Sequence, residues 1–260
     1  MKNLILGYNN LIDTATLSGG SWSAALPLAN LKSRILSKVA RSSDAAAAST
    51  RIDIDLGSAK SVQAFGAIRT NLSASGATYR LRGSNDNTFA ASLYDSGTAS
   101  AAAQTPDLIL GLDAAVTARY WRLEIVDTAN ASGYIQIGRL FIGTALAPAD
   151  NYSKGAEIGY QSSTAVAKSV GGVKYFDRRP GERLFSFQLD WLTDAEALGQ
   201  ALELQRISGI HGEVLLVVDP ADTIFNQKRH FLGTLQQLPP LKNPYLTNYQ
   251  AAFNVVEVAA

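Results

Sequence analysis

The chain has 260 residues, of which 47% are hydrophobic and 17% charged, with a net charge of +1. That length holds one large domain or two ordinary ones with real cores, and two is the reading adopted. Basic clusters never extend beyond a few residues, which excludes a nucleic-acid partner, and the absence of cysteine excludes disulfide and thiol chemistry.

The opening stretch, MKNLILGYNNLID, has one lysine and an apolar run broken by Gly7, Tyr8, Asn9 and Asn10. It is too short for a signal peptide, and no later segment approaches a membrane span. The alanine-rich SSDAAAAST (42–50) reads as a loop, because serine and aspartate flank it and a strand follows. In RIDIDLG (51–57), Ile52, Ile54 and Leu56 alternate with Asp53 and Asp55, the period of a strand with one buried face, and Gly57 is expected to end it. Tyr79 and Leu81 alternate with Arg80 and Arg82 before the turn cluster GSNDN (83–87). In ARYWRLEI (118–125), Trp121, Leu123 and Ile125 form the apolar face, and IQIGRLFIG (135–143) supplies a closing strand. Short strands separated by Gly, Ser and Asn clusters, without a long helix, predict a β-sandwich or jelly roll.

Small residues, a proline and turn formers in TALAPADNY (144–152) mark a boundary, giving domains 1–145 and 146–260. The first carries 13 basic and 10 acidic residues and the second 10 and 12, so neither is an electrostatic specialist. In the second, Phe185, Phe187, Leu189 and Trp191 alternate with polar residues as a strand. Thr193 and Glu196 form a capping box, and the apolar spacing that follows predicts one helix near 194–208, stopped by Gly209. Strands are then expected in EVLLVVDP (213–220), HFLGTLQQL (230–238) and NYQAAFNVVEV (248–258). The order of strands, one helix and strands again does not build a parallel nucleotide-binding sheet.

Residues 9–143 resemble discoidin, or factor V/VIII C-type, domains of galactose-binding-like fold. The resemblance is carried by NLID (10–13), Trp22, the DLG ending at Gly57, the SND turn (84–86), the RYWR strand and the strand closing at Gly143. It implies a module that binds or docks and does no chemistry. Many such domains have a glutamate in the last strand that helps hold a structural calcium. Here Gly138 and Arg139 occupy that neighbourhood, and no metal site or cofactor is assigned. The second half is similar to the collar domain of phage distal tail or baseplate proteins, through LDWLT (189–193), the helix, VLLVVDP and a terminal β run. That resemblance implies a homo-oligomeric ring at the end of a tail tube, of six subunits by analogy, contacting other tail-tip proteins. It also implies synthesis in a bacterial host cytoplasm and residence at the virion tail tip.

Ligand binding by a discoidin-like fold uses loops at one end of the sandwich, and the candidates are Arg69, Asn71 and Tyr134, able to hydrogen-bond or stack on a sugar. FDRRPGER (176–183) places Arg178, Arg179 and Arg183 beside a Pro-Gly turn, either as a solvated hairpin or as an arm pairing with a neighbouring subunit. His211 and His230 read as surface or turn residues without metal-ligand spacing. The three tryptophans, Trp22, Trp121 and Trp191, read as core. Asp53 and Asp55 point to one face, as a glycosidase pair would, but a solvated strand face explains them more simply. The sequence reading is therefore a mainly β, two-domain, non-enzymatic structural protein of a phage tail tip. The alternative is a carbohydrate-binding adhesin that recognises host-surface glycans.

Overall fold

Period-two alternation becomes antiparallel pairing throughout this computed structural model, which describes residues 2–101, 106–245 and 247–258. The first half contains β1 (Ile5–Tyr8), β2 (Thr16–Ser18), β3 (Ala40–Arg41), β4 (Ile52–Ile68), β5 (Thr78–Ser84), β6 (Tyr94–Asp95), β7 (Ala99–Ser100), β8 (Leu108–Val126), β9 (Gln136–Ile137) and β10 (Arg139–Leu146). The second contains β11 (Glu157–Ser162), β12 (Ala165–Lys168), β13 (Lys174–Asp177), β14 (Gly181–Leu192), β15 (Glu213–Val217), β16 (Phe231–Leu235), β17 (Lys242–Tyr245) and β18 (Asn248–Glu257). The protein is mainly β, as expected, with an antiparallel sandwich in the first half. The second half is an antiparallel sheet carrying one longer helical segment.

One hydrogen-bonded path crosses both halves in the order β11-β14-β18-β16-β15-β1-β10-β4-β8-β5-β6. The crossing point is β1, which pairs with β10 through Leu6 and Leu146 on one side and with β15 through Leu6 and Leu216 on the other. Its alternate residues serve different cores. Leu4, Leu6 and Tyr8 pack with Phe187, Leu204 and Phe253 of the second half. Ile5 enters a junction core with Phe141, Leu215 and Leu232. Fully burying a leucine contributes about 1.5–3 kcal/mol, so this short strand fastens the two halves with several buried side chains. Gly7 allows the close approach, since a Cβ there would lie 2.6 Å from the Ala64 Cβ.

Three local expectations are corrected by the structure. Gly57 does not end its strand: at φ +76° it lets β4 bend, and pairing with β8 resumes after a register shift between Asp55 and Lys60. The 42–50 stretch is not all loop, because Ala47–Thr50 forms a helical turn. Asp44 starts that turn by accepting from the Ala46 N–H and the Ser49 hydroxyl. The closing strand is broken at Gly138, where a Cβ would meet the Leu36 carbonyl at 2.6 Å. The capping box at Thr193 and Glu196 is present and residues 194–208 are helical, with a π turn at Ala197–Ala201 and Gly209 at φ +51° as the stop.

Candidate functional site

Two buried arginines join the halves beneath the surface. Arg139, fully buried, donates to Glu213 Oε2 at 2.6 Å and to Asp13 Oδ1 at 2.7 Å. Arg183 lies between Glu257 and Asp107 and also donates to the carbonyls of Gln227 and His230. It is buried and fully engaged within the chain, so it is not part of the exposed arginine cluster read from the sequence. Arg178 and Arg179 are exposed, and Arg179 lies 3.5 Å from Asp177. Burial pushes the Asp107 carboxyl upward, opposed by the Arg69 N–H and the Arg183 guanidinium.

The loops holding Asn71 and Tyr134 do meet at one end of the sandwich. Asn71 Nδ2 donates to the Tyr134 carbonyl at 3.0 Å, and its Oδ1 accepts from the Gln136 N–H at 2.7 Å. Asp127, buried, binds the Ser73 N–H and the Asn130 amide, tying these loops together. Both ends of the Asn71 amide therefore hold backbone, and the Arg41 guanidinium lies 4.1 Å from the centroid of the Tyr134 ring. Arg69 is exposed at φ +57°, with its N–H on Asp107. These bonds shape the rim of the loops and leave Asn71 little capacity for a ligand.

The aspartate pair on β4 is neutralised by arginines. Asp53 pairs with Arg122 and Arg51, while Asp55 receives two hydrogen bonds from Arg119, at 2.8 and 2.9 Å. The Arg119 bonds hold the Asp55 carboxyl below the usual carboxylate range. A carboxylate so held does not act as a general acid near neutral pH.

A cleft of about 530 Å³ opens between the halves. One wall carries Tyr79 on β5, Tyr94 on β6 and Ser96. The other carries Asp222, Thr223 and His230 from the segment joining β15 to β16. Tyr79 points inward from β5, with its phenol pushed up to about 12 by burial, and burial also raises the half-buried Tyr94. Burial pushes His230 down to about 4, against the opposing pull of Asp222 and Asp219. Its Nε2 accepts from the Asp219 N–H at 3.3 Å, so the ring is the neutral tautomer protonated on Nδ1. Burial opposes ionisation of Asp222, but the N–H groups of Phe225 and Ile224 and the nearby Arg229 outweigh it and hold the carboxyl low. Arg229 Nη1 lies 3.1 Å from Asp222 Oδ2. At neutral pH the cleft thus presents two phenols, hydroxyls, a neutral imidazole and a carboxylate already matched by an arginine.

His230 corrects the surface reading, since it is 4% exposed. Trp191 corrects another: a bulge between Leu189 and Leu192 turns it outward, 51% exposed and stacked on Tyr245 at 5.3 Å, while Trp121 is fully buried. Sequence reasoning did not single out the cleft. Tyr79 reads as strand core and the ADT turn (221–223) as a loop, and nothing local places that turn against Tyr94.

No family model matches the chain, and no curated protein matches it. Solved structures similar to about half of it include the lectin domain of lectinolysin complexed with Lewis b antigen. That domain is 14% identical at a TM-score of 0.41, over 52% of this chain and 95% of that one. The family 32 carbohydrate-binding module of Clostridium perfringens NanJ in complex with galactose is also 14% identical at 0.42, over 53% of this chain and 98% of that one. A further such module, from a family 31 glycoside hydrolase of Clostridium perfringens, is 14% identical at 0.40, over 53% and 99%. At such identities and scores the likeness carries no functional argument.

Proposed function

We propose that this protein is a non-catalytic carbohydrate-binding component whose cleft between the two halves takes a neutral saccharide. The observation that carries the reading is the cleft's chemistry. Aromatic rings and uncharged hydrogen-bonding groups line about 530 Å³, and its one carboxylate is balanced by Arg229. Tyr79 is 7% exposed, so the half-buried Tyr94 is the ring that offers an apolar face to the C–H side of a sugar and a hydroxyl to its edge. A charged ligand would meet no unmatched countercharge there. Titration calorimetry against neutral mono- and disaccharides tests this. Tyr94→Ala should weaken binding by on the order of tenfold, and Tyr134→Ala, at the separate loop end, should leave it unchanged. Absence of binding to every neutral saccharide tried, or binding indifferent to Tyr94, refutes the proposal.

A second reading is favoured by a different observation. Of the seventeen large apolar side chains exposed among the described residues, fifteen lie in the second half. Exposed apolar side chains concentrated in one half favour an interaction face there over an even scatter. It supports a self-associating component, in the form expected from the sequence: a ring at a phage tail tip, with the sandwich as its outward binding module. The two readings are compatible. Light scattering on the purified protein checks the second: a mass of one chain at all concentrations would remove it.

A further inference from the structure

The hairpin β12–β13 is a two-stranded ladder that continues the β11–β14 hairpin beyond the main sheet, Ser162 lying opposite Gly181 and then Ala165 opposite Asp177. All eight of its strand residues are exposed. A two-stranded ribbon that projects from its sheet with exposed apolar side chains gains stability from a partner that covers one face. Register sorts its side chains. Val166 lies directly opposite Phe176, and Lys168 directly opposite Lys174. With side chains alternating across a strand, all four lie on one face. Val166 and Phe176 are each 56% exposed, and two like charges placed opposite each other repel. This face therefore fits a surface that is apolar and acidic together. Arg178 and Arg179 follow at once, so residues 165–179 carry four basic residues against one acidic.

The same chain displays such a surface elsewhere. Residues 184–205 contain four acidic residues and no basic one, of which Asp190 accepts from Ser153 and Gln188 and the buried Glu196 closes the capping box. On the 194–208 helix, Asp194, Leu198 and Leu202 follow at four-residue spacing and are all exposed, the leucines by 49% and 46%. Glu203 is matched by Arg206, but Asp194 has no basic partner among the described residues.

We infer that the hairpin of one copy docks on the Asp194–Leu198–Leu202 stripe of a second copy, with Val166 and Phe176 against the leucines and Lys168 and Lys174 toward Asp194. The inference rests on the self-association reading. Two unlike patches meet head-to-tail in a closed ring or filament, or reciprocally in a two-fold dimer.

Two variants of the full chain test it: a hairpin variant, V166S with F176S, and a helix variant, L198E with L202E. All four positions are exposed, so circular dichroism should match the parent. By light scattering the parent forms a multimer, and each variant alone should associate at least about tenfold more weakly. Mixing them should yield a dimer and nothing larger, since each supplies the patch the other lacks. A parent that stays monomeric overturns both this inference and the self-association reading. A parent multimer that survives in either variant, or a mixture that stays monomeric, overturns the hairpin-to-helix contact and leaves self-association standing.

Discussion

Replacing Arg139 with methionine should destabilise the fold out of proportion to the change in volume. In the native chain Arg139 Nε and Nη2 donate to Glu213 Oε2 at 3.1 and 2.6 Å, Nη2 to Asp13 at 2.7 Å, and Nη1 to the Leu31 carbonyl at 3.4 Å. Methionine fills part of the space but removes every donor. Asp13 is partly solvated and recovers water, with 40% of its side chain exposed. Glu213, at 5%, cannot. Its remaining side-chain partner is the Asn10 amide at 3.2 Å. Stranding one member of a buried pair costs about 3–5 kcal/mol, whereas replacing both members by neutral groups costs far less. Urea unfolding followed by tryptophan fluorescence should therefore show a loss of about 3–5 kcal/mol for Arg139→Met. Arg139→Met with Glu213→Gln should recover a large part of it, since the introduced amide is uncharged and its oxygen can still accept from Asn10. A single variant within about 1 kcal/mol of the parent, or a double variant no better than the single, would show that the pair is not the inter-half fastening described here.

Gly7→Ala should cost about 1–3 kcal/mol, because its methyl would sit 2.6 Å from the Ala64 Cβ and 3.0 Å from the Phe141 ring. A melting temperature equal to the parent's would contradict the close junction. His230, near 4 when folded and 6.5 when free, is charged more readily in the unfolded chain. Stability should accordingly fall as pH drops from about 6.5 to 4, by roughly 3 kcal/mol at full protonation of the unfolded state. If His230→Gln kept the same slope across that window, the dependence would belong to other groups. Thr193→Ala removes the helix cap and should cost about 1 kcal/mol, read by thermal unfolding, with Thr193→Ser restoring most of it. Equal stability of the alanine and serine variants would argue against the cap.

Much of this protein was written locally. Alternation in 51–57, 79–82 and 118–125 predicted strands whose apolar faces are buried, and the Thr193–Glu196 box predicted where the helix begins, because each depends on neighbours two to four residues apart. Gly57 shows the limit of that logic. A turn residue also serves as a bend when a partner strand lies on both sides of it, and β8 supplies that partner more than fifty residues away. Trp191 fits an alternating strand until the bulge set by pairing with β18 turns it outward. His230 and Arg183 look like surface residues in sequence, and only tertiary packing buries them and brings up their partners, Asp219 for His230 and Glu257 and Asp107 for Arg183. The strand blocks of the first half were legible, but the cleft was not: Tyr94 and Asp222 stand 128 positions apart and line one cleft because β1 hydrogen-bonds to a strand from each half. Local chemistry determined which segments became strands and helix. Contacts across long sequence separations decided which polar groups were buried, which apolar ones stayed exposed, and which residues line the cleft between the halves.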